Sequence, residues 1–353
     1  MLDSQKTYAT FDKEEISYGI EHLPEQAKIA WDETRELVIP SNYRNCDRIV
    51  VVGMGGSALG PEIVQSVFFS KLRVPFELVR GYDVPGSVNS RTLVILSSFS
   101  GSTEEVIAAA KEARRHRAKM IVIATGGALL NFAKREHIPF YAFKPGDLAK
   151  EPRLGVGFSM VGILGILERA GLLKIATSEV KYMTQAMSDV VEGCRLEIKS
   201  EKNPAKITAT ELKDRNILIV SSEHLAGSAH LMANQINESS KQIAFSAEIP
   251  ELNHHLMEGL ANPDGEFAKW TVLMLKSPLY HPRIIKRYDV TATVFEKQGA
   301  EVIEYEVGGG SKLEECGEVM QFGSFVAYYL AMLNEVNPKE IPFVKYFKEQ
   351  MGK

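Results

Sequence analysis

The stretch DRIVVVGMGGSALGPEIVQSVFFSKL, residues 47–72, predicts the fold class of the chain. It starts with a continuous run of β-branched residues that stops at glycines, which is typical of a strand buried on both faces of a parallel sheet. Apolar residues at helical spacing follow at once. A strand, a glycine-containing loop and a helix in direct succession indicate the beginning of a βαβ unit.

The same alternation continues downstream. Strand patterns follow at 75–82, 91–101, 119–127 and 139–144, with helical patterns at 102–117 and 128–137. Residues 152–200 carry no strand pattern and predict helices. Alternation resumes with strands at 215–222, 241–248, 269–277 and 301–307 and helices at 227–240, 282–299 and 317–336. This pattern predicts an α/β protein with parallel sheets flanked by helices.

The boundaries between these patterns predict four segments. They are an N-terminal helical segment (1–40), a first α/β domain (41–150), a helical connection (151–205) and a second α/β domain (206–353). Both α/β domains start with an apolar strand, a Gly-Ser-Ala loop and a helix, as GGSALG (55–60) and AGSAHL (226–231) show. The repeat favours an internal duplication.

Composition excludes several classes of function. The chain has 353 residues, 45% of them hydrophobic, with 41 Lys plus Arg against 45 Asp plus Glu. The longest basic run, 113–119, is interpreted as the solvated end of a helix, so no nucleic-acid groove is predicted. Three scattered cysteines indicate a reducing compartment without disulfides or a zinc ribbon. Without an apolar stretch of about 18 residues, we expect a cytoplasmic protein that does not span a membrane.

Two loops predict a site for a phosphate group. GMGGSALG (53–60) joins a strand to a helix, so its backbone N–H groups face any anion at the helix N-terminus. SSFSGSTEE (97–105) adds several hydroxyls in an equivalent position. Two alternatives stay open: one hydroxyl could simply cap the helix, and the glycines could belong to a dinucleotide fingerprint. The second strand ends with Arg80 before Asp83, which does not fit that fingerprint.

A carboxylate and an imidazole stand close together later in the chain. Glu238 lies at the end of a predicted helix, and His254 and His255 follow one strand later. Such a pair can transfer protons at neutral pH. The alternatives are a solvated Glu238 that pairs with Lys241, and a metal site at the two histidines. The remaining histidines, His224 among them, are interpreted as structural.

Together these motifs resemble the bifunctional phosphoglucose/phosphomannose isomerase family, which is built from two sugar isomerase (SIS) domains of flavodoxin-like topology. The resemblance covers nearly the whole chain. It implies that the substrate phosphate is bound by a Gly-Gly-Ser turn and a Ser-x-Ser-Gly-x-Thr loop, here Gly55, Gly56, Ser57, Ser98, Ser100 and Thr103. It also implies four catalytic residues, here Arg153, Glu238, His254 and Lys348.

The resemblance further implies an activity: interconversion of glucose 6-phosphate, and of mannose 6-phosphate, with fructose 6-phosphate through a cis-enediol. His254, helped by Lys348, would open the sugar ring, Glu238 would carry the proton between C1 and C2, and Arg153 would stabilise the enediolate. No metal or organic cofactor is implied. The family's histidine comes from the partner subunit, so a homodimer is implied as well. The long apolar helix at 322–336 is either a dimer surface or part of the core.

Some positions differ from the family's common pattern. Phe99 and Ser102 stand where Tyr and Asn are usual, and NESSK (237–241) stands for NENAK. His255-Leu256 follows His254 where Asn-Glu is common, and the tail 337–348 lacks the family's threonine, which bears on mannose 6-phosphate use. Two other functions remain open: an isomerase of a different sugar phosphate, such as an amino sugar or pentose phosphate, and a non-catalytic sugar-phosphate sensor.

Overall fold

The computed structural model describes residues 1–352, which form two compact units. The amino-terminal unit is His22–Ala186, and the carboxyl-terminal unit combines Met1–Glu21 with Met187–Lys353. The predicted helical segment 1–40 is therefore divided between the two units. The domain boundaries inferred from the sequence remain a prediction.

The strands, in chain order, are β1 (Arg48–Val52), β2 (Phe76–Val79), β3 (Thr92–Ser98), β4 (Lys119–Ala124), β5 (Phe140–Ala142), β6 (Asn216–Ser221), β7 (Ala244–Glu248), β8 (Trp270–Lys276) and β9 (Glu301–Glu306). The helices are α1 (Gln5–Phe11), α2 (Ile16–Glu21), α3 (Leu23–Arg35), α4 (Gly56–Phe68), α5 (Glu104–Arg115), α6 (Gly127–Arg135), α7 (Val156–Arg169), α8 (Thr177–Cys194), α9 (Pro204–Leu212), α10 (Ala226–Gln235), α11 (Leu252–His255), α12 (Pro282–Lys297), α13 (Lys312–Leu333) and α14 (Pro342–Gln350).

Both units contain a parallel sheet, and the first four strands of each follow the same order. The amino-terminal sheet runs β2-β1-β3-β4-β5, and the carboxyl-terminal sheet runs β7-β6-β8-β9. This is the flavodoxin-like order, in which the chain reverses direction across the sheet between the first and third strands. The predicted fold class, two flavodoxin-like units with helices on parallel sheets, is confirmed.

Small apolar residues bring helices close to the amino-terminal sheet. In α5, Val106, Ala109, Ala110 and Ala113 repeat at helical spacing and are buried against the strands. The central strands are largely apolar and buried, as β3 illustrates with seven buried residues, whereas the edge strands β2 and β5 are only partly buried. Burial on both faces explains why these strands appear in the sequence as continuous β-branched runs.

Helix α13 forms the centre of the carboxyl-terminal unit. Its aromatic residues Phe322, Phe325, Tyr328 and Tyr329 are at most 1% exposed. Since residues on all sides of the helix are buried, the long apolar pattern at 322–336 belongs to the core, and the alternative interpretation as a dimer surface is wrong. Among residues 1–352, no helix is long and apolar enough to cross a membrane.

Candidate active site

Glycine at position 56 allows two predicted site segments to touch. A Cβ on Gly56 would lie 2.7 Å from the carbonyl carbon and oxygen of Pro152 and 2.9 Å from the nitrogen of Arg153. The first turn of α4 therefore packs directly on the Pro152–Arg153 backbone. The preceding Gly55 has φ +49° and ψ −130°, a conformation that L side chains rarely adopt. These two glycines fix the position of the turn beside Arg153.

Ser57 joins the glycine turn to the serine-rich loop. Its Oγ accepts a hydrogen bond from the backbone N–H of Phe99 (2.8 Å), and its carbonyl accepts one from the hydroxyl of Ser97 (2.9 Å). The carbonyl of Phe99 in turn accepts from the N–H and hydroxyl of Thr125 (2.9 and 2.7 Å). Sequence reasoning missed Thr125, although the strand-TGG pattern at 119–127 placed it at the same edge of the sheet.

The hydroxyls of the serine-rich loop are arranged by the loop itself. Ser98 is buried, and its Oγ lies 2.8 Å from Oγ1 of Thr103 and accepts from the N–H of Gly101 at 3.0 Å. Ser100 is exposed and accepts from the N–H of Ser102 (3.2 Å). Thr103 is the N-cap residue of α5, yet within the described chain its side chain makes no capping hydrogen bond. The capping alternative is thus not how this hydroxyl is used.

Electrostatics at this edge of the sheet favour an anion. The two loops follow β1 and β3, the strands between which the sheet reverses direction, and ligands of such sheets bind at that position. Both loops lead into helix N-termini, which carry partial positive charge. At the start of α5 the hydroxyl of Tyr82 donates to the carboxylate of Glu104, a bond that raises the pKa of Tyr82 to about 12. Tyr82 therefore stays a hydrogen-bond donor at neutral pH.

Arg153 is a buried cation next to these loops. Its side chain is 2% exposed, and Nη1 lies 4.0 Å from a carboxylate oxygen of Glu151. A buried guanidinium is always charged and holds its donors in a fixed plane. The backbone of Arg153 packs on the glycine turn, and Ser57 joins that turn to the loop that carries Ser98 and Thr103. The amino-terminal unit contains seven predicted residues: Gly55, Gly56, Ser57, Ser98, Ser100, Thr103 and Arg153.

Glu238 lies on a π-helical turn in the carboxyl-terminal unit. The predicted helix at 227–240 is α-helical only to Gln235, and Ile236–Ser240 is π-helical. The amide of Asn237 holds this turn to β7, donating to the carbonyl of Ala244 (2.7 Å) and accepting from its N–H (3.1 Å). Lys241 ends the turn in a left-handed conformation. Wide π turns are frequent at functional sites, and this one leaves Glu238 only partly buried.

His254 lies at the other end of the same strand. The Asn237 contact places Glu238 near the first residue of β7, whereas His254 follows the last residue, on the short helix α11. Five residues of strand separate these ends by about 13 Å. His254 and His255 are exposed, as is Lys348 on α14, a helix in which every residue is exposed. Within one copy of the chain, Glu238 and His254 therefore lie at opposite ends of β7.

The described part of the chain was searched for clusters of metal-ligating side chains. Among residues 1–352, no group of three or more His, Cys, Asp or Glu side chains is placed to hold a metal ion.

Comparison with known families places a SIS domain on each sheet. Residues 42–141 match the SIS domain model, and residues 201–351 match the model of the bacterial phospho-glucose isomerase C-terminal SIS domain. These ranges contain the strands of the two sheets except for Ala142, the last residue of β5, which agrees with two related α/β units.

Curated relatives cover two thirds or more of the chain. A bifunctional phosphoglucose/phosphomannose isomerase of Caldicellulosiruptor bescii is 28% identical over 95% of this chain and 98% of its own. A D-glucosamine-6-phosphate 4-epimerase of Sulfolobus acidocaldarius is 27% identical over 67% of this chain and 72% of its own. The crystal structure of a hypothetical protein from Thermus thermophilus superposes with a TM-score of 0.75 at 20% identity, covering 98% of this chain and 92% of that one. The resemblance inferred from the sequence is confirmed.

Proposed function

We propose that this chain, a relative of the bifunctional phosphoglucose/phosphomannose isomerases, is itself a sugar-phosphate isomerase that converts glucose 6-phosphate and mannose 6-phosphate to fructose 6-phosphate. The observation that carries the proposal is the joined pair of loops at the sheet reversal, where Ser57 bonds to Phe99 beside the hydroxyls of Ser98 and Thr103. Hydroxyls and helix N-termini suit a phosphate monoester. Full-length similarity to curated isomerases supports the choice of reaction.

The proposed mechanism needs four kinds of group. Ser57, Ser98, Ser100, Thr103 and the turn Gly55-Gly56 anchor the phosphate. His254 with Lys348 protonates the ring oxygen, Glu238 moves the proton between C1 and C2, and Arg153 offsets the negative charge of the enediolate. The buried guanidinium of Arg153 and the partly buried position of Glu238 support these roles. The reaction as written uses protein groups alone.

The test is an isomerase assay in the presence of EDTA. Purified protein is incubated with glucose 6-phosphate or mannose 6-phosphate, and fructose 6-phosphate is measured. We expect turnover of both sugars and a loss of about 10²- to 10⁴-fold in kcat for Glu238→Gln, since a positioned general base contributes that much. Glu296→Gln, which neutralises a carboxylate of α12, is the matched control and should retain full activity. Binding without turnover in the unaltered protein would favour a sensor.

We propose a homodimer, and the positions of Glu238 and His254 support it. Because β7 separates Glu238 from the exposed His254, we propose that each site takes Glu238 from one copy and His254 from a second. Mixing inactive Glu238→Gln with inactive His254→Ala and allowing subunits to exchange should restore about one quarter of the activity, because half of the dimers are hybrids with one intact site. If both residues acted within one copy, the mixture would stay inactive.

The relative from Sulfolobus acidocaldarius favours a second candidate. That protein carries the name of a D-glucosamine-6-phosphate 4-epimerase, so an amino sugar phosphate is the next substrate to test. Incubation with glucosamine 6-phosphate followed by proton NMR would reveal an epimer at C4.

We further propose a cytoplasmic location, because the three cysteines are free and buried as in proteins of reducing compartments.

A further inference from the structure

A buried polar cluster of residues without an assigned role lies in the carboxyl-terminal unit. Nε2 of His224 is 2.6 Å from Oε2 of Glu315, and both side chains are 0% exposed. The hydroxyl of Ser277 donates to the same carboxylate oxygen, also at 2.6 Å. Nε2 of His224 and the hydroxyl of Ser277 thus meet at one oxygen of the Glu315 side chain. We call these three residues, His224, Ser277 and Glu315, the carboxylate cluster.

The carboxylate cluster occupies a defined position in the sheet topology. His224 lies in the loop after β6, and Ser277 directly follows β8, the two strands between which this sheet reverses direction. In the amino-terminal unit the corresponding strands are β1 and β3, where Ser57 follows β1 and Ser98 ends β3. The two positions are therefore topologically equivalent, as expected for a duplicated unit.

Glu315 reaches this position from the first turn of α13. Gly309 allows the approach, since a Cβ there would lie 2.6 Å from the nitrogen of Glu315 and 2.9 Å from its Cγ. The loop serine resembles its counterpart in detail: Ser277 Oγ accepts from the N–H of Leu279 at 2.9 Å, as Ser98 Oγ accepts from Gly101. The two units differ in that the carboxyl-terminal one holds its own negative group between the loops.

The remaining atoms of the cluster are poised for further hydrogen bonds. Among residues 1–352, Oε1 of Glu315, Nδ1 of His224 and the hydroxyl of Ser221, which ends β6, are buried without a hydrogen-bond partner. Buried polar atoms of this kind are rare, and they mark a place built for more hydrogen bonds than the chain supplies. In the absence of the Glu315 side chain, a tetrahedral oxyanion could accept hydrogen bonds from the hydroxyls of Ser277 and Ser221 and from the imidazole of His224.

We propose that the carboxylate cluster is a second oxyanion site in which the side chain of Glu315 takes the place of a bound phosphate. The carboxyl-terminal unit thereby keeps the anion-binding geometry of a SIS-type sheet but binds no external phosphate. Each chain accordingly binds one sugar phosphate, in the amino-terminal unit. The comparison rests on the proposed phosphate site there, whereas the occupancy by Glu315 can be tested independently.

The test removes the internal carboxylate and supplies inorganic phosphate. We expect the Tm of Glu315→Ala to be lower than that of the unaltered protein. Adding 50 mM phosphate should raise the Tm of Glu315→Ala by roughly 3 °C more than it raises the Tm of the unaltered protein, because a ligand stabilises the state that binds it. Val319→Ala is the matched control. It shortens a buried residue of the same helix without removing a charge, so phosphate should give no additional rise.

Binding stoichiometry separates this proposal from the proposed function. Titration calorimetry with phosphate should show one more site per chain in Glu315→Ala than in the unaltered protein, whether or not the amino-terminal unit binds phosphate. If Glu315→Ala does not fold, Glu315→Gln is the second variant, because it keeps the shape of the side chain. It presents an amide to His224 and Ser277 in place of a carboxylate, so we expect a lower Tm that phosphate does not restore. Equal phosphate responses in Glu315→Ala and Val319→Ala, or a Glu315→Gln variant as stable as the unaltered protein, would overturn the proposal.

Discussion

Gly56→Ala should separate the glycine turn from Arg153. The new Cβ would lie 2.7 Å from Pro152 backbone atoms, while ordinary contact begins at 3.4 Å, so the two segments must move apart by 3.4 − 2.7 = 0.7 Å. Neither partner can relieve the contact by rotating a side chain, because the atoms on the Pro152 side belong to the backbone. Overpacking of this kind costs about 1–3 kcal/mol of stability.

Activity should fall more than stability does. A misplacement of about 1 Å at an active site can cost on the order of 100-fold, so we expect kcat/KM for glucose 6-phosphate to fall by roughly 10- to 100-fold in Gly56→Ala. The assay is fructose 6-phosphate formation, with Tm measured on the same samples. Gly86→Ala is the control, since within the described chain a Cβ at Gly86 has no neighbour within 4 Å.

One result would refute this reasoning. If Gly56→Ala lowered Tm yet kept the kcat/KM of the unaltered protein, the contact between the turn and Pro152 would serve stability alone and would not position the site. A smaller phosphate-induced rise in Tm for Gly56→Ala than for Gly86→Ala would instead locate the damage in phosphate binding.

Thr103→Val and Lys206→Met test two other contacts. Thr103→Val removes the hydroxyl that pairs with Ser98 and keeps the side-chain shape. KM for glucose 6-phosphate should rise roughly 10-fold or more with kcat little changed, because a hydrogen bond to the charged phosphate is lost. An unchanged KM would show that Thr103 does not bind the phosphate. Lys206→Met removes the hydrogen bonds to the partly buried carbonyls of Leu196 and Ile198, so it should destabilise the protein by roughly 1–3 kcal/mol in urea unfolding. Burial lowers the pKa of Lys206 below its ordinary 10.5, so just below pH 10.5 the unfolded chain binds more protons than the folded protein. The stability of the unaltered protein relative to Lys206→Met should therefore increase as the pH rises through this range. A stability difference that becomes smaller over the same pH range would contradict this sign.

Much of the fold was predictable because its signals are local. A continuous β-branched run such as Ile49–Val52 indicates a strand that is buried on both faces. The helical spacing of apolar residues in α5 indicates a helix that is buried on one face. The loops of the phosphate site were also visible, since glycines and hydroxyls between a strand and a helix reflect backbone requirements at those residues. Their arrangement, with Ser57 bonded to Phe99, was not visible because 42 residues separate the partners.

The sequence by itself determined which segments become strands and helices and which loops carry polar groups, because periodicity and backbone preference act over a few residues. Tertiary structure decided the rest. It replaced an expected α-helical end with the π turn that carries Glu238, put His254 at the opposite end of β7, and filled the second sheet reversal with Glu315. Each of these outcomes depends on contacts between residues distant in the chain, such as His224 with Glu315 across 91 positions, whose energies no local pattern encodes.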